Sequence, residues 1–235
     1  MHLGEAALGV SLTIDGEILD SCPDCRIGCL VINNVTIAGS SPALSQEFLQ
    51  LQNEVAKIYN IEGLTQLPPI MAVRAMYKKL DFDPSRYRPA SESLVRRVLQ
   101  QKGIYYVNSA VDASNYCSLK YLMPFGLYDL DQIEGEVVYR RAHGGTYENM
   151  GGRTVSTDGK PFLTDSRGVF GNPTSDSRRT AVSLTTRNLL SVVYAGSGAA
   201  QEDLSRILQF TGEMLTRYNG GSVRDVQIAG AGRET

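Results

Sequence analysis

The chain has 235 residues, 42% of them apolar and 20% charged, which is typical of a globular protein with its own hydrophobic core. Its 23 basic and 25 acidic residues give a net charge of −2, which argues against a protein whose main task is to grip a phosphate backbone. No apolar run reaches the ~18 residues that span a bilayer, and the N-terminal segment lacks the basic start of a signal peptide. We therefore expect a cytoplasmic protein with reduced thiols and with neither a membrane nor DNA as partner.

The first half of the chain predicts two strands followed by three helices. Loose alternation over residues 8–20 indicates one strand, and a Val- and Ile-rich strand follows over residues 28–38. Apolar residues at helical spacing, each run with a start signal, then predict the helices. These cover residues 42–58 after a cap at Ser40 or Ser41, residues 68–80 from Pro68, and residues 91–103 from a cap at Ser91 to Gly103.

The second half is richer in strands, so we assign the chain to the α+β class, with mixed sheets and helices packed on one side. Strands are predicted over residues 104–112, 135–142, 161–165, 180–184 and 188–195, helices over residues 113–123 and 200–218, and an irregular segment over residues 125–133. We expect one domain over residues 1–218, made of an N-terminal part (1–81), a core (82–195) and the last helix. A flexible, Gly-rich tail is expected over residues 219–235.

Three cysteines, Cys22, Cys25 and Cys29, follow a spacing found in thiolate metal sites and iron–sulfur clusters, and Cys-x-x-Cys pairs can be redox-active. A tetrahedral site needs a fourth ligand, and the candidates are Cys117, His143 and His2. The alternative is a surface turn between two strands, with Cys29 entering the second strand as a small apolar residue. Because a second ligand pair is missing, we expect no metal and no cofactor.

Basic residues concentrate between residues 74 and 97 and recur in a later loop. The residues predicted to contact a phosphate backbone are Lys78, Lys79, Arg86, Arg88, Arg96, Arg97, Arg178 and Arg179. Lysine and arginine at this density suit phosphate groups. A solvated helix face is the commoner explanation of such a cluster, so both interpretations stay open.

Two polar stretches predict a ligand pocket. Residues 108–131 mix short polar side chains with apolar ones, and residues 165–180 form a glycine-containing loop with hydroxyl and carboxylate groups. The substrate-binding candidates are Asn108, Asp112, Tyr116, Gly126, Tyr128, Gly168, Gly171, Thr174, Ser175 and Ser177. The alternatives are turn and cap residues that satisfy local backbone groups in the first stretch, and a surface loop in the second.

Ordered matches to one sequence pattern extend through residues 82–195. The matching positions are Asn108, Val111, Asp112, Asn115, Tyr116, Pro124, Tyr128, Asp129, Asp131, Ile133 and Gly135. They follow a strand pattern I-N-x-V-V-D-V-T-N-Y and then G-x-P-x-H-x-[FY]-D-x-D-x-[IL]-x-G, with order and spacing kept. In these features the chain resembles the B3/B4 domain of the phenylalanyl-tRNA synthetase beta chain, in a stand-alone form.

The resemblance implies an aminoacyl-tRNA deacylase that acts in trans, or a relative that binds tRNA or an amino acid. In the synthetase this domain is the editing site, which hydrolyses tyrosine wrongly attached to the phenylalanine tRNA. The family's Thr-Asn pair falls on Ser114 and Asn115, and its His falls on Gly126. The acid nearest to the family's tyrosine-reading Glu is Asp176. The chain thus lacks the family's His and its tyrosine-reading Glu, and these two departures affect the expected selectivity for tyrosine more than the expected fold.

The catalytic candidates implied by the resemblance are Ser114, Asn115 and Asp176. Ester hydrolysis needs a positioned water and donors for the developing oxyanion. Ser114, Asn115 and backbone amides near Gly168 and Gly171 are the expected donors, and Asp176 is expected to bind the substrate's amino group or to orient the water. The alternatives are a non-catalytic protein that binds an amino acid or another small molecule, and a small-molecule enzyme on the same fold.

Overall fold

The computed structural model describes residues 10–230, and this part of the chain folds into six α-helices and ten β-strands. The helices are α1 (Gly16–Ser21), α2 (Pro42–Ile58), α3 (Pro68–Lys79), α4 (Ala90–Leu99), α5 (Ser109–Tyr121) and α6 (Gln201–Asn219). The strands are β1 (Leu12–Ile14), β2 (Cys25–Asn33), β3 (Phe125–Asp129), β4 (Val137–Arg141), β5 (Thr146–Glu148), β6 (Thr154–Ser156), β7 (Pro161–Asp165), β8 (Gly168–Gly171), β9 (Leu189–Ser197) and β10 (Ser222–Ala229).

The strands form two larger sheets and one small one. The central sheet has the order β10-β2-β9-β3, and all its pairs are antiparallel. The second sheet has the order β1-β4-β7-β8, with β1 parallel to β4 and the other pairs antiparallel. The third is the β5-β6 hairpin. The predicted α+β class with mixed sheets is confirmed.

The central sheet is covered on both faces. On β2, Leu30 and Ile32 belong to a core shared with α2, α4, α5 and α6, whereas Cys29 and Val31 belong to a second core shared with α3 and the β1-β4-β7-β8 sheet. Alternate side chains of β9 divide between the same two cores. A strand buried on both faces carries mostly apolar residues, which explains the largely apolar sequences of β2 and β9.

The helices with clear start signals lie where the sequence predicts them. Helix α2 begins at Pro42, and the Ser41 side chain accepts a hydrogen bond from the Leu44 backbone N–H (3.2 Å). Helices α3 and α6 agree with their predicted ranges to within one residue at either end. Helix α4 differs in its start: Pro89 is the N-terminal flanking residue, and Ser91 lies inside the helix, buried, and caps nothing.

The strand predicted over residues 104–112 is wrong. Residues 104–107 are irregular, and Asn108 caps α5 by accepting hydrogen bonds from the backbone N–H groups of Ala110 (3.1 Å) and Val111 (2.9 Å). The run of Tyr and Val before this cap has strand propensity, but the Asn cap decides the local structure. Helix α5 therefore begins at Ser109, four residues before its predicted start.

Three predictions around the last strands also need correction. The segment predicted as irregular contains β3, and the strand predicted over residues 180–184 is absent, because Ser177 caps a short 3₁₀ turn, Arg178–Thr180. The tail predicted as flexible contains β10, whose backbone pairs with β2 along most of its length. The polar residues of this edge strand and the glycines before it did not indicate a strand in the sequence. Residues 231–235 of the predicted tail lie outside the described residues.

The N-terminal strand predictions are shifted or divided. In place of one strand over residues 8–20, the structure has the short strand β1 and then α1, which Asp15 caps through the Glu17 backbone N–H (2.9 Å). Residues 8 and 9 lie outside the described residues. Strand β2 begins at Cys25 and ends at Asn33, earlier than the predicted 28–38.

No helix of residues 10–230 combines the length and the apolar character that crossing a membrane requires.

A buried acid connects α3 and α4. The Glu92 side chain is 1% exposed, and three arginine side chains surround its carboxylate. The distances are 2.9 Å from Arg74 Nη1 to Oε2, 3.0 Å from Arg96 Nε to Oε1 and 3.4 Å from Arg88 Nε to Oε1. A charge can be buried at this level only when it is paired and hydrogen-bonded. Glu92 therefore depends on the arginines, and they are held by it.

We expect Glu92→Ala to lower the free energy of unfolding by about 3 kcal/mol, because it leaves three arginines facing one another without their shared anion. Urea unfolding measures the change. Glu54→Ala is the matched control, because Glu54 lies on the exposed face of α2, where surface changes are usually within about 0.5 kcal/mol. Equal stability of the two variants would contradict a structural role for the cluster around Glu92.

Candidate functional site

A cavity of about 200 Å³ lies at the β3 edge of the central sheet. Its walls come from α5, from β3 and from the loop that follows β8. The lining residues are Val107, Val111, Ser114, Asn115, Phe125, Leu127, Tyr128, Met150, Asp176, Ser177, Thr180, Ala181 and Val182. All three catalytic candidates, Ser114, Asn115 and Asp176, thus face one space.

Helical geometry decides which residues of α5 reach this cavity. Val111, Ser114 and Asn115 stand at i, i+3 and i+4, so they share one face of the helix. Asp112 and Tyr116 lie on the other side of the helix. The Asp112 carboxylate accepts a hydrogen bond from the Val107 backbone N–H (2.9 Å), and Tyr116 packs against Phe48, with 6.0 Å between ring centroids.

Asp176 is the titratable group of the cavity. The Tyr128 hydroxyl donates to its Oδ1 at 2.7 Å, and the Tyr128 and Tyr194 hydroxyls lie 3.0 Å apart. Burial raises the pKa of Asp176 to about 7, although the hydrogen bonds from Tyr128 and from the Asn172 backbone oppose this shift. Near neutral pH the group is therefore present as both acid and carboxylate, the state suited to moving a proton.

Two glycines make room for this pair. A Cβ atom at Gly126 would lie 2.1 Å from the Tyr128 hydroxyl oxygen, and one at Gly171 would lie 2.0 Å from the same oxygen and 2.7 Å from Asp176 Oδ1. Neither position tolerates a side chain while Tyr128 points inward. Gly126 and Gly171 were predicted to contact substrate, but the space beside them is filled by Tyr128.

Thr180 adds a buried hydroxyl that the sequence did not single out. The residue is fully buried and lines the cavity, and its Oγ1 has no hydrogen-bond partner among residues 10–230. A buried polar group without a partner is costly, and in Thr180 this unsatisfied hydroxyl belongs to a residue of the cavity wall. Thr180 was assigned to a strand, where no local signal pointed to a cavity.

Of the substrate-binding candidates, Tyr128 and Ser177 line the cavity and the others lie outside its lining. Asn108 caps α5, as the alternative explanation proposed. The Thr174 hydroxyl lies 2.8 Å from the Tyr77 hydroxyl and donates to the Tyr87 carbonyl, and the Ser175 backbone N–H donates to Asn172 Oδ1 (2.8 Å). Gly168 lines separate surface grooves.

Most of the basic candidates between residues 74 and 97 have protein partners. Arg88 and Arg96 hold Glu92, as described above, and Lys79 Nζ lies 2.9 Å from Asp24 Oδ1. The Arg86 guanidinium lies 5.2 Å from the Tyr87 ring centroid. Lys78 is exposed in the last turn of α3. The cluster is therefore not simply a solvated helix face, because two of its arginines, Arg88 and Arg96, neutralise the buried Glu92.

Arg178 and Arg179 line a groove of about 480 Å³ that shares Ser177 with the cavity. Arg167 lines the same groove. Arg178 Nη1 lies 2.8 Å from Glu148 Oε1, and both side chains are more than half exposed. Arg179 is held more firmly, with two hydrogen bonds to the Asp165 carboxylate (2.8 and 3.0 Å). A groove that carries three arginines thus continues from one side of the cavity, and each of them is paired with an acidic side chain, Arg167 with Glu134 at 3.5 Å.

The three cysteines of the triplet lie inside the second core. Cys22, Cys25 and Cys29 are free and buried, so the predicted surface turn is wrong about their exposure. Cys117 is buried in the other core, and His143 Nε2 lies 3.1 Å from Glu17 Oε2, whereas His2 lies outside the described residues. Within residues 10–230, no group of three or more His, Cys, Asp or Glu side chains is arranged to hold a metal ion.

We expect Asp176→Asn to stabilise the protein relative to wild type increasingly as the pH rises from about 4 to about 7. The pKa of Asp176 is about 7 in the folded state and about 4 in an unfolded chain, so the folded state holds this proton more tightly. The associated stability is complete below pH 4 and is lost as the pH rises through 7. Asn keeps an oxygen for the Tyr128 hydroxyl and does not ionise.

Urea unfolding of wild type and Asp176→Asn at several pH values measures this difference. Asp158→Asn is the control, because Asp158 is exposed in a turn. A stability difference between Asp176→Asn and wild type that stays constant across this pH range would contradict the raised pKa.

Comparisons with known proteins find several to which this chain is similar. The B3/4 domain model matches residues 72–232. The phenylalanine–tRNA ligase beta subunit of Bifidobacterium longum (strain NCC 2705) is 38% identical over 80 residues, which are 34% of this chain and 8% of that protein. YhzB of Bacillus subtilis (strain 168), described as an uncharacterized protein, is 20% identical over 214 residues, 91% of this chain and 97% of that one.

One solved structure also aligns with this chain. It is an N-terminal fragment of the phenylalanyl-tRNA synthetase beta subunit from Pyrococcus horikoshii, with 15% identity and a TM-score of 0.46 over 94% of this chain and 50% of that chain. The chain thus spans a small part of the Bifidobacterium ligase subunit and nearly all of YhzB. Because the family model covers more than half of its residues, the chain belongs to the B3/4 domain family.

Proposed function

We propose that this protein hydrolyses the ester bond of an aminoacyl-tRNA, with the amino acid bound in the cavity at the β3 edge. The observation that carries the proposal is the convergence of Ser114, Asn115 and Asp176 on this cavity, together with the unpartnered hydroxyl of Thr180. Membership of the B3/4 family and the match to ligase beta subunits support this choice of substrate class.

The size of the cavity favours a small ligand. Pockets for drug-sized molecules hold roughly 300–1,000 Å³, whereas this cavity holds about 200 Å³. Its lining combines apolar side chains with a few polar ones, which is the usual composition of a site that orients a small molecule by hydrogen bonds. An amino acid fits this description, and the rest of the tRNA must remain outside.

The proposed reaction needs one water and no cofactor. Water attacks the ester carbonyl carbon, the bond to the ribose oxygen breaks, and the products are the free amino acid and the tRNA with its hydroxyl restored. Asp176 accepts the proton of the attacking water and returns it to the leaving ribose oxygen, for which a pKa of about 7 is suitable. Ser114 and Asn115 donate hydrogen bonds to the oxygen that becomes negative.

The preferred amino acid is a separate question from the reaction. In the family pattern a His stands where this chain has Gly126, and the space beside that glycine is filled by Tyr128. The family pattern itself has Phe or Tyr at the Tyr128 position, so this wall lacks the imidazole, and the Tyr128 hydroxyl is bonded to Asp176 and lies 3.0 Å from the Tyr194 hydroxyl. We accordingly propose no preference for tyrosine and test several amino acids together.

We expect the protein to release at least one amino acid from a panel of aminoacyl-tRNAs charged with tyrosine, phenylalanine and small residues, faster than a buffer control. Asn115→Ala should abolish this release, because it removes a cavity-facing donor, while thermal melting stays nearly unchanged. Asn53→Ala is the matched control, since Asn53 lies on the exposed face of α2.

Two outcomes would contradict this proposal. If Asn115→Ala retains full activity, the cavity is not the site of hydrolysis. If the folded wild-type protein releases no amino acid from any tRNA, it is not a deacylase acting on the panel. A thermal shift with a free amino acid would then favour the alternative, a non-catalytic amino-acid binding protein on the same fold.

We also propose that the groove beside the cavity contacts tRNA phosphates through Arg167, Arg178 and Arg179. Arg178→Gln should weaken tRNA binding and reduce the slope of log affinity against log salt concentration by about one, because one phosphate contact is lost. Fluorescence titration at several salt concentrations measures the slope. Arg206→Gln on α6, where Arg206 is similarly exposed and paired with Asp203, is the control. An unchanged slope would exclude Arg178 from the RNA interface.

A further inference from the structure

Tyr105 is an aromatic residue with a solvent-exposed side chain. It is 72% exposed, the highest value among the large hydrophobic residues of the described chain. The Arg97 guanidinium carbon lies 4.1 Å from the centre of its ring, and Arg97 Nε donates to the Gly103 carbonyl at 3.0 Å. One face of the ring is therefore covered by a fixed cation, and the rest of the side chain meets solvent.

The segment that carries Tyr105 is anchored at both ends. The Ile104 backbone N–H donates to Gln52 Oε1 (3.1 Å), and the Val107 backbone N–H donates to Asp112 Oδ1 (2.9 Å). Between them, the Tyr106 hydroxyl donates to the Ser45 carbonyl (3.1 Å). Because neighbouring residues are tied to α2 and α5, Tyr105 is presented by an ordered backbone.

The backbone segment that carries this exposed ring leads to the cavity. Val107 lines the cavity, and consecutive Cα atoms are about 3.8 Å apart, so the Cα of Tyr105 lies within about 7 Å of the Cα of Val107. Met150, another lining residue, is also largely exposed. Tyr105 therefore lies two residues before the cavity wall, and Arg97 contacts its ring.

An aromatic ring stacked with an arginine is a surface that unpaired nucleobases bind. Bases stack on such side chains without strong sequence preference, and arginine adds a cation–π contribution. In an aminoacyl-tRNA the amino acid is esterified to the ribose of the last nucleotide. With the amino acid in the cavity, that ribose lies at its mouth, and the attached base lies within reach of the neighbouring ring.

We propose that Tyr105, backed by Arg97, stacks the unpaired 3′-terminal base of the RNA substrate. This inference rests on the proposed function for the choice of ligand. It gives Arg97 a role beside a base, whereas the sequence suggested a contact with phosphate. It also assigns recognition of the nucleotide to α4 and the segment before α5, separately from recognition of the amino acid in the cavity.

The test uses a short single-stranded RNA that carries 2-aminopurine as its 3′-terminal base, because stacking on an aromatic ring quenches the fluorescence of this base. We expect wild-type protein to quench it and Tyr105→Ala to bind the RNA about tenfold more weakly, with the quenching lost. Tyr105→Phe keeps the ring and should retain both properties. Ile58→Ala is the control, since Ile58 is similarly exposed at the end of α2.

Two results would overturn the proposal. One is equal affinity and equal quenching for wild type and Tyr105→Ala. The other is equal affinity of the wild-type protein for the same RNA with an abasic 3′ end, which would mean that the protein binds only the backbone.

Failure of this proposal is distinguishable from failure of the proposed hydrolysis. Quenching that depends on Tyr105, in a protein that releases no amino acid, supports the stacking site and contradicts the deacylase. Release of amino acid that is unaffected by Tyr105→Ala, without any quenching, supports the deacylase and contradicts the stacking site.

Discussion

The pairing of β2 with β9 is the constraint on which the other elements depend. Both strands are buried on both faces, so each contributes alternate side chains to two different cores. Helices α2, α5 and α6 pack against one face of the central sheet, and α3 and the β1-β4-β7-β8 sheet pack against the other. Because β3 pairs with the free edge of β9, this arrangement also fixes where β3 meets α5. The cavity lies at that junction, so the position of the site follows from the packing of strands distant from it in sequence.

The sequence predicts those elements whose signals are local. A serine cap, a proline in the first turn and helical spacing are enough to predict α2, and a run of Leu and Val is enough to predict β9. Prediction fails where tertiary contacts decide. Strand β3 contains Gly126, and β10 is polar and follows two glycines, so neither has strong strand propensity, and both form because a neighbouring strand offers a ladder of hydrogen bonds.

In the candidate site, too, some residues could be predicted from sequence patterns, whereas others depend on tertiary contacts. Resemblance to the B3/B4 pattern pointed to Ser114, Asn115 and Asp176, and these side chains line one cavity. The hydroxyl of Thr180 and the roles of Gly126 and Gly171 beside Tyr128 depend on contacts between distant segments, which no local pattern contains. The basic residues show the same contrast. The cluster seen in the sequence includes arginines that surround one buried carboxylate, whereas the groove next to the cavity takes its arginines from the turn between β7 and β8 and from the loop after β8.

Each of the two cores contains a buried free cysteine whose chemical modification reports the opening of that core. Cys117 on α5 belongs to the core between the helices and the central sheet, and Cys29 on β2 belongs to the core between the two sheets. Burial raises the pKa of both thiols to about 12, so neither reacts with an alkylating reagent while its core stays closed. The rates at which the two thiols are modified therefore record how often each side of the central sheet opens. Fluctuations of the two layers can in this way be followed separately in the natural chain, without an introduced label.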